Sequence, residues 1–234
     1  MIKKNFILSL TVIFSILVSL NVSAGPKGPA TKYEITMTKV ELCEIGSTDA
    51  NCLNPVTVSP SGTKVSDIAA VDAGASAGSF GSLSTLTPGT TYSYIQVTMS
   101  RLFTIAGTTS AGCATNSGGT AGGLNAYGVG QTAVTGTDQT LSVPNTNGMS
   151  ATLPNTINGA ADANGDTVSA AGAIANADTH MEFRQELEQT FIMTPGSVPS
   201  LTIAFGTEQA VESQGACGGA VMNAAAPSVS ITVN

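Results

Sequence analysis

The clearest pattern in the chain is the alternation of apolar and polar residues within segments that are separated by turn residues. Residues 90–105 place their apolar side chains in one phase and mostly polar ones in the other, and residues 181–193 do the same. A period of two is typical of a half-buried β-strand, so both segments are predicted as strands. For the second segment a helix is the competing interpretation, because Phe183, Leu187 and Phe191 also recur at helical spacing.

A third alternating segment carries a change of phase. Its apolar residues are Tyr33, Ile35, Met37, Val40 and Leu42. The shift by one position after Met37 predicts a β-bulge near residues 38 and 39.

Shorter apolar runs complete the prediction. Residues 56–58 and 64–68 flank a Ser-Pro-Ser-Gly turn and are predicted to form a hairpin, while 201–205 and 229–233 are predicted as further strands. Residues 107–176 are rich in Gly, Ala, Thr, Ser and Asn, and the segments 129–134 and 141–143 are their only strand candidates. Most of this region is therefore expected to be long surface loops.

The fold class that follows is all-β: a β-sandwich of about seven to nine mostly antiparallel strands with long Gly/Ser/Thr/Asn-rich loops. We expect a single domain over residues 33–234, with a loop-rich insertion at about 107–178. Residues 25–32 contain two prolines and two glycines and are predicted to be a flexible, unpaired leader.

Residues 1–24 have the organisation of a secretory signal peptide. Lys3 and Lys4 precede an apolar stretch at residues 6–20, and Val22-Ser23-Ala24 is a small-residue cleavage site. An uncleaved membrane anchor is the alternative interpretation. We expect a secreted protein at the cell surface or in the extracellular space, or in the periplasm, with no membrane span after the signal is removed.

Charge is scarce in this chain. Only 10% of the 234 residues are Asp, Glu, Lys or Arg, and the net charge is -7, which becomes -9 once the two signal lysines are removed. An acidic chain without a basic patch argues against nucleic-acid binding.

The four cysteines, Cys43, Cys52, Cys113 and Cys217, favour two disulfides in an exported chain. Three pairings are available. A local Cys43–Cys52 bridge is the preferred one, because it closes a short polar loop and leaves Cys113 to pair with Cys217. Zinc ligation is disfavoured, since no C-x-x-C spacing is present.

Catalytic patterns are weak, and the chain is predicted not to be an enzyme. His180 is the only histidine, and no G-x-S-x-G motif accompanies it. Glu182, Glu186 and Glu188 could mimic a glycosidase carboxylate pair, but a solvated acidic face explains them more simply. The glycine-rich run at residues 118–123 lacks the lysine of a phosphate-binding loop.

Calcium is the only cofactor that the sequence suggests. Asp162, Asn164 and Asp166 match the start of a calcium-binding loop, but residues 167 and 173 break the rest of the EF-hand pattern. A plain Asn-Gly turn is the alternative interpretation.

Arg101 lies in the apolar phase of residues 90–105. A charge in that phase must be paired or must reach the edge of the sheet. We expect it at a rim, with its aliphatic part packed and its head solvated.

The stretch Leu86-Thr87-Pro88-Gly89-Thr90-Thr91-Tyr92 resembles the L-x-P-G-x-Y strand start of transthyretin-like and Cna-B-like modules of bacterial surface proteins. The resemblance implies a structural module of stalks, pili or adhesins. No motif matches the Lys and Asn positions that form isopeptide links in some such modules.

These observations predict an exported structural protein, a pilus-like filament subunit that self-associates by adding a terminal strand to a neighbouring copy. The expected assembly strand is the segment from Tyr33 to Leu42. The alternative is a soluble secreted ligand-binding module, stabilised by calcium. An outer-membrane barrel is a third interpretation, disfavoured by the short strands.

Overall fold

Strands account for nearly all of the regular structure in this protein. The computed structural model describes residues 25–59, 62–70, 83–117, 128–143, 157–160, 173–175, 178–196, 201–215, 217–218 and 221–233. These residues form a 3-10 turn at Leu83–Thr85 and fifteen β-strands: β1 (Lys27–Gly28), β2 (Ala30–Glu44), β3 (Val56–Thr57), β4 (Lys64–Asp67), β5 (Thr91–Ser100), β6 (Leu102–Gly107), β7 (Cys113–Thr115), β8 (Gly128–Thr132), β9 (Gln139–Ser142), β10 (Ile157–Ala160), β11 (His180–Ile192), β12 (Leu201–Gly206), β13 (Val211–Gln214), β14 (Val221–Ala224) and β15 (Ser228–Val233).

The largest sheet has eight strands and is organised around β2. Strands β3 and β4 pair with one edge of β2, and β5 followed by β6 pairs with the other. Beyond them, β11 pairs with β5 and β9 pairs with β6, while β10 pairs with β11. All of these pairings are antiparallel. Because both edges of β2 are paired over most of its length, β2 is an interior strand.

Two smaller sheets complete the fold. One has five strands in the order β1-β13-β14-β8-β7, and the other is a two-stranded ribbon of β12 and β15. The apolar faces of β2, β5 and β6 contribute Leu42, Ile95 and Ile105, each fully buried, to one core cluster that also contains Ile203 and Ile231 of the ribbon. Burying such a side chain contributes about 1.5–3 kcal/mol, so this shared core holds the layers together. The all-β sandwich prediction is confirmed.

Several local predictions are also confirmed. The pairing of β2 with β5 shifts register between Met37 and Lys39, which places the bulge where the apolar phase changes. Residues 181–193 form strand β11 and not a helix. The predicted terminal strands at 201–205 and 229–233 are β12 and β15.

The predicted hairpin between residues 56–58 and 64–68 is wrong. Strands β3 and β4 do not pair with each other, and both lie along the same edge of β2. The reason is that β2 is 15 residues long and offers a continuous edge, whereas β3 and β4 have only two and four residues with which to pair.

The prediction of a flexible, unpaired leader at residues 25–32 is also wrong. Strand β1 pairs with β13, and β2 begins at Ala30. Backbone contacts hold this segment closely: the Ser110 amide donates to the Lys27 carbonyl at 2.9 Å, and a Cβ on Gly28 would lie 2.1 Å from the Thr108 carbonyl oxygen. The glycine that suggested flexibility is required here for close packing.

Two further expectations about strands need correction. The single strand predicted at residues 90–105 is divided into β5 and β6 at Arg101. The insertion predicted at about 107–178 contains strands β7 to β10, which pair into both larger sheets. The strand count of seven to nine was too low because many of the strands have only two to four residues.

Candidate functional site

A buried cluster of charged and amide side chains lies on the face of the eight-stranded sheet that points away from the apolar core. Strand alternation places these residues opposite Val40, Leu42, Ile95 and Val97, which face the core. We call it the polar cluster; its members, from β2, β5 and β11, are Lys39, Glu41, Gln96, Thr98, Glu182 and Arg184. Apart from Lys39, each is at least nine-tenths buried.

Register explains why these side chains meet. Gln96 on β5 lies between Glu41 on β2 and Arg184 on β11. In the next row, Thr98 lies between Lys39 and Glu182. Residues directly opposite one another on neighbouring strands have their side chains on the same face and close enough to interact. Two adjacent rows of three strands therefore build the polar cluster.

Hydrogen bonds run through the polar cluster without a break. Gln96 Nε2 donates to Glu41 Oε2 at 2.7 Å, and Gln96 Oε1 accepts from Arg184 Nε. Arg184 Nη2 donates to Glu182 Oε2 at 2.8 Å. At the rim, Lys39 Nζ lies 3.2 Å from Glu41 Oε2. Two cations thus balance two carboxylates, which reduces the cost of burying them.

The loop closed by the Cys43–Cys52 disulfide borders the polar cluster. Its Asp49 carbonyl accepts from Arg184 Nη1 at 3.3 Å. Burial raises the pKa of the nearby Tyr94 hydroxyl, and the negative charges of Asp49 and Glu186 raise it further. The disulfide therefore holds a short acidic loop beside the buried arginine.

This arrangement favours a structural role for the polar cluster. Glu41 and Glu182 are each engaged by a cation, whereas a general acid or base needs a proton that it can exchange with a substrate. The expectation of a solvated acidic face is wrong for Glu182, which is 6% exposed and paired with Arg184. Glu186 and Glu188 are exposed, so the three glutamates do not share one environment.

Thr98 is the exception within the polar cluster. Its Oγ1 atom is buried and has no hydrogen-bond partner in the described part of the chain. An unpaired hydroxyl costs stability relative to a paired one.

A second buried charge lies where β5 passes into β6. Arg101 is fully buried, which contradicts the expectation of a solvated head at a rim. Its Nε donates to the Val143 carbonyl at 2.9 Å, and its Nη1 donates to the carbonyls of Ala175 and Asp178 at 3.2 and 2.5 Å. Burial lowers the pKa of Arg101, and the charge of Asp178 opposes that change.

We call Arg101, Val143, Ala175 and Asp178 the arginine junction. Strand β9 ends opposite Leu102 and strand β11 begins opposite Ser100, so the opening between these two strands falls at residue 101. The Arg101 backbone reaches both sides of it: its amide donates to the Thr179 carbonyl at 3.2 Å, and its carbonyl accepts from the Val143 amide at 2.8 Å. The guanidinium, with donors in a planar fork, satisfies carbonyls on both sides of that opening. The junction therefore closes a break between two strands that are consecutive along one edge.

The structure contains both disulfides in the preferred pairing, Cys43–Cys52 and Cys113–Cys217, each with a Cα–Cα distance of 5.2 Å. His180 begins β11, and its Nδ1 lies 2.8 Å from Thr179 Oγ1. The predicted calcium ligands at 162, 164 and 166 lie outside the described residues. Within the described residues, no group of three or more His, Cys, Asp or Glu could hold a metal ion.

The assembly strand expected at residues 33–42 is corrected by the structure. Tyr33, Ile35, Met37, Val40 and Leu42 are all at most 4% exposed, and they lie in β2 at the centre of the chain's own sheet. The apolar alternation that suggested a donated strand belongs to an interior strand.

The polar cluster and the arginine junction were missed by sequence reasoning. The signal that could have found the cluster is phase: Glu41, Gln96 and Arg184 each lie in the outward phase within a long strand. Reading that signal requires knowing that β5 lies between β2 and β11, which alternation alone does not tell.

Comparisons with family models, curated proteins and solved structures found no match. The resemblance of the stretch at residues 86–92 to surface-protein modules therefore stays a prediction. Locally, that stretch is a turn with Gly89 at a φ of 84°, followed by β5 from Thr91. In the part of the chain that the structure describes, no helix is long and apolar enough to cross a membrane.

Proposed function

We propose that this chain is an exported structural protein of the cell surface or extracellular space, a filament-type subunit that assembles by β-strand addition at the β12–β15 ribbon. The observation that carries the proposal is the edge of that ribbon. Within the described residues, β12 and β15 pair only with each other, and at six residues each they are the longest strands with an edge that is unpaired along its whole length.

The composition of the ribbon supports this assignment. Natural proteins protect edge strands with charges, prolines or very short lengths. Strands β12 and β15 contain no charged residue and no proline, and β15 alternates exposed Ser228, Ser230 and Thr232 with more buried Val229, Ile231 and Val233. By contrast, the edge strands β1 and β4 are short and carry lysine.

The ribbon is also suited to accept a further strand because it is held from one side. Ile203 and Ile231 anchor it in the core at 2% exposure each, and Gln185 Nε2 donates to the Val229 carbonyl at 2.8 Å. A two-stranded ribbon is marginally stable alone and gains from additional pairing. Pairing of main chains supplies affinity in complexes formed by strand addition.

Export and a non-enzymatic role belong to the same proposal. Two disulfides are typical of proteins that fold in oxidising compartments. The charged groups of the polar cluster and of the arginine junction are engaged in hydrogen bonds and ion pairs within the fold, which favours a mechanical role over catalysis.

The test is self-association of the purified chain with and without a charge on the ribbon edge. Thr232→Lys places a cation on an exposed β15 position, and Thr132→Lys places the same change on an exposed position of β8, in the five-stranded sheet. We expect oligomers in light scattering, and fibres in negative-stain images, for the wild type and Thr132→Lys but not for Thr232→Lys. A strictly monomeric wild type over a wide concentration range would overturn the proposal, as would equal loss of assembly in both variants.

A further inference from the structure

Basic residues are few in this chain, and their positions share one property. After residue 24 there are only six: Lys27, Lys32, Lys39, Lys64, Arg101 and Arg184. At average composition a chain of this size has roughly 25. The intervals 65–100, 102–183 and 185–234 contain none, and they include the segments outside the described residues after position 61.

The four lysines all lie in paired strands. Lys27 pairs with Glu212 in the five-stranded sheet, and Lys32 and Lys39 pair with Ala106 and Thr98 in the eight-stranded sheet. Lys64 on β4 pairs with Met37 on β2. None of them lies in a loop or a turn.

Burial makes both arginines inaccessible to a protease in the folded chain. Arg101 is fully buried in the arginine junction, and Arg184 is 7% exposed in the polar cluster. Each is bound by several acceptors, so the release of either guanidinium breaks more than one hydrogen bond.

An endoprotease that cuts after Lys or Arg must take the basic side chain into an acidic pocket and must bind the flanking backbone in an extended form. Exposed loops meet this requirement, whereas a paired strand does so only after local unfolding. We propose that the fold makes the native chain resistant to endoproteases with an acidic specificity pocket by confining every basic residue of the exported chain to a paired or buried position. Resistance of this kind is selective, because exposed turns that lack Lys and Arg, such as the one at Val134, stay accessible to proteases that cut after small apolar residues.

Val134 offers a direct test. It is 96% exposed in the turn between β8 and β9, and its side chain is not part of the core. Val134→Lys introduces one basic residue at an exposed turn, and Val134→Gln is the matched control of similar polarity without the charge. The protein without residues 1–24, which contain Lys3 and Lys4, is digested with its disulfides intact by trypsin or by an elastase-type protease.

We expect the wild type and Val134→Gln to stay intact in trypsin and to be cut by elastase, while trypsin cuts Val134→Lys after residue 134. Because Cys113 and Cys217 lie on either side of that site, the fragments stay joined on a non-reducing gel and separate on a reducing one. Reduced and denatured wild type, cut at its six basic residues, confirms that the protease is active.

Three results would overturn the proposal. Trypsin could cut the native wild type as fast as Val134→Lys, which would mean that paired positions give no protection. Folded Val134→Lys could resist trypsin, or the wild type could resist elastase; in either case the resistance would come from general rigidity and not from the placement of basic residues. The inference rests on the proposed function only for the removal of residues 1–24. None of these outcomes depends on self-association, so its failure and that of the proposed assembly are distinguishable.

Discussion

Removal of the Arg101 guanidinium is the most informative perturbation of the fold. In Arg101→Met the aliphatic volume is largely kept, while the hydrogen bonds to the carbonyls of Val143, Ala175 and Asp178 are lost. The variant therefore tests whether the arginine junction holds β9 and β11 in line, or whether the sheet closes there without it.

The magnitude follows from the number and kind of bonds. A hydrogen bond to a charged group contributes about 1.5–3 kcal/mol. Three such bonds would give roughly 4.5–9 kcal/mol, but the guanidinium no longer has to be buried, which offsets several kcal/mol of that loss. We expect Arg101→Met to lower the free energy of unfolding by about 3–5 kcal/mol, because three carbonyls lose a donor at about 1–3 kcal/mol each while the cost of burying the guanidinium disappears.

Urea unfolding of the disulfide-intact chain measures this change, and a thermal scan gives a second value. For a domain of this size, 1 kcal/mol corresponds to about 2–4 °C, so the melting temperature is expected to fall by roughly 6–20 °C. Lys27→Met is the control, because its side chain is 37% exposed outside the polar cluster and its 3.9 Å ion pair with Glu212 contributes less than about 1 kcal/mol. Arg101→Met within 1 kcal/mol of the wild type, at an unchanged denaturant slope, would refute the role assigned to the junction.

Three further predictions concern the polar cluster, a buried tyrosine and calcium. A double-mutant cycle of Glu182→Gln and Arg184→Met is expected to give a coupling free energy of about 1–3 kcal/mol in urea unfolding, and a coupling near zero would contradict the pairing. The Tyr33 hydroxyl donates to the Ala225 carbonyl at 2.9 Å, and its burial raises the pKa of Tyr33. Above the ordinary tyrosine pKa of 10.0, this hydroxyl ionises only in the unfolded chain. The free energy of unfolding is therefore full below that pH and falls at higher pH. Tyr33→Phe should flatten that alkaline decline, and an identical decline in both proteins would be inconsistent with this cause. If residues 162–166 bind calcium, the melting temperature rises with added calcium and falls with a chelator; an unchanged value in both would remove the calcium interpretation.

Local patterns in the sequence predicted local structure well. The phase change after Met37 identified the bulge in β2, because a bulge alters the alternation within a single strand. Alternation also distinguished the strand β11 from a helix, since its apolar residues pack on a sheet that needs a period of two. These features are determined by residues that are neighbours in the chain.

Partner choice could not be predicted in the same way. Residues 56–58 and 64–68 are adjacent in sequence and suggested a hairpin, yet both pair with β2. The acceptors of the Arg101 guanidinium lie 42, 74 and 77 positions away along the chain. Alternation showed that Arg101 points inward, but not that a gap between β9 and β11 leaves carbonyls there for it to bind.

Because β2 is an interior strand of the largest sheet, its deletion is not a clean test of assembly. Deleting residues 25–42 would remove β1 and most of the central strand of the largest sheet, so any loss of association would be confounded with unfolding. A charge on β15 alters an exposed edge position and leaves the buried face of the ribbon in place. Basic residues are also scarce at the surface: both arginines are buried, and the four lysines after residue 24 lie in paired strands. A surface with so few charges lacks the usual protection against strand addition, and the lack of charge on β12 and β15 is therefore the feature on which the proposed assembly depends.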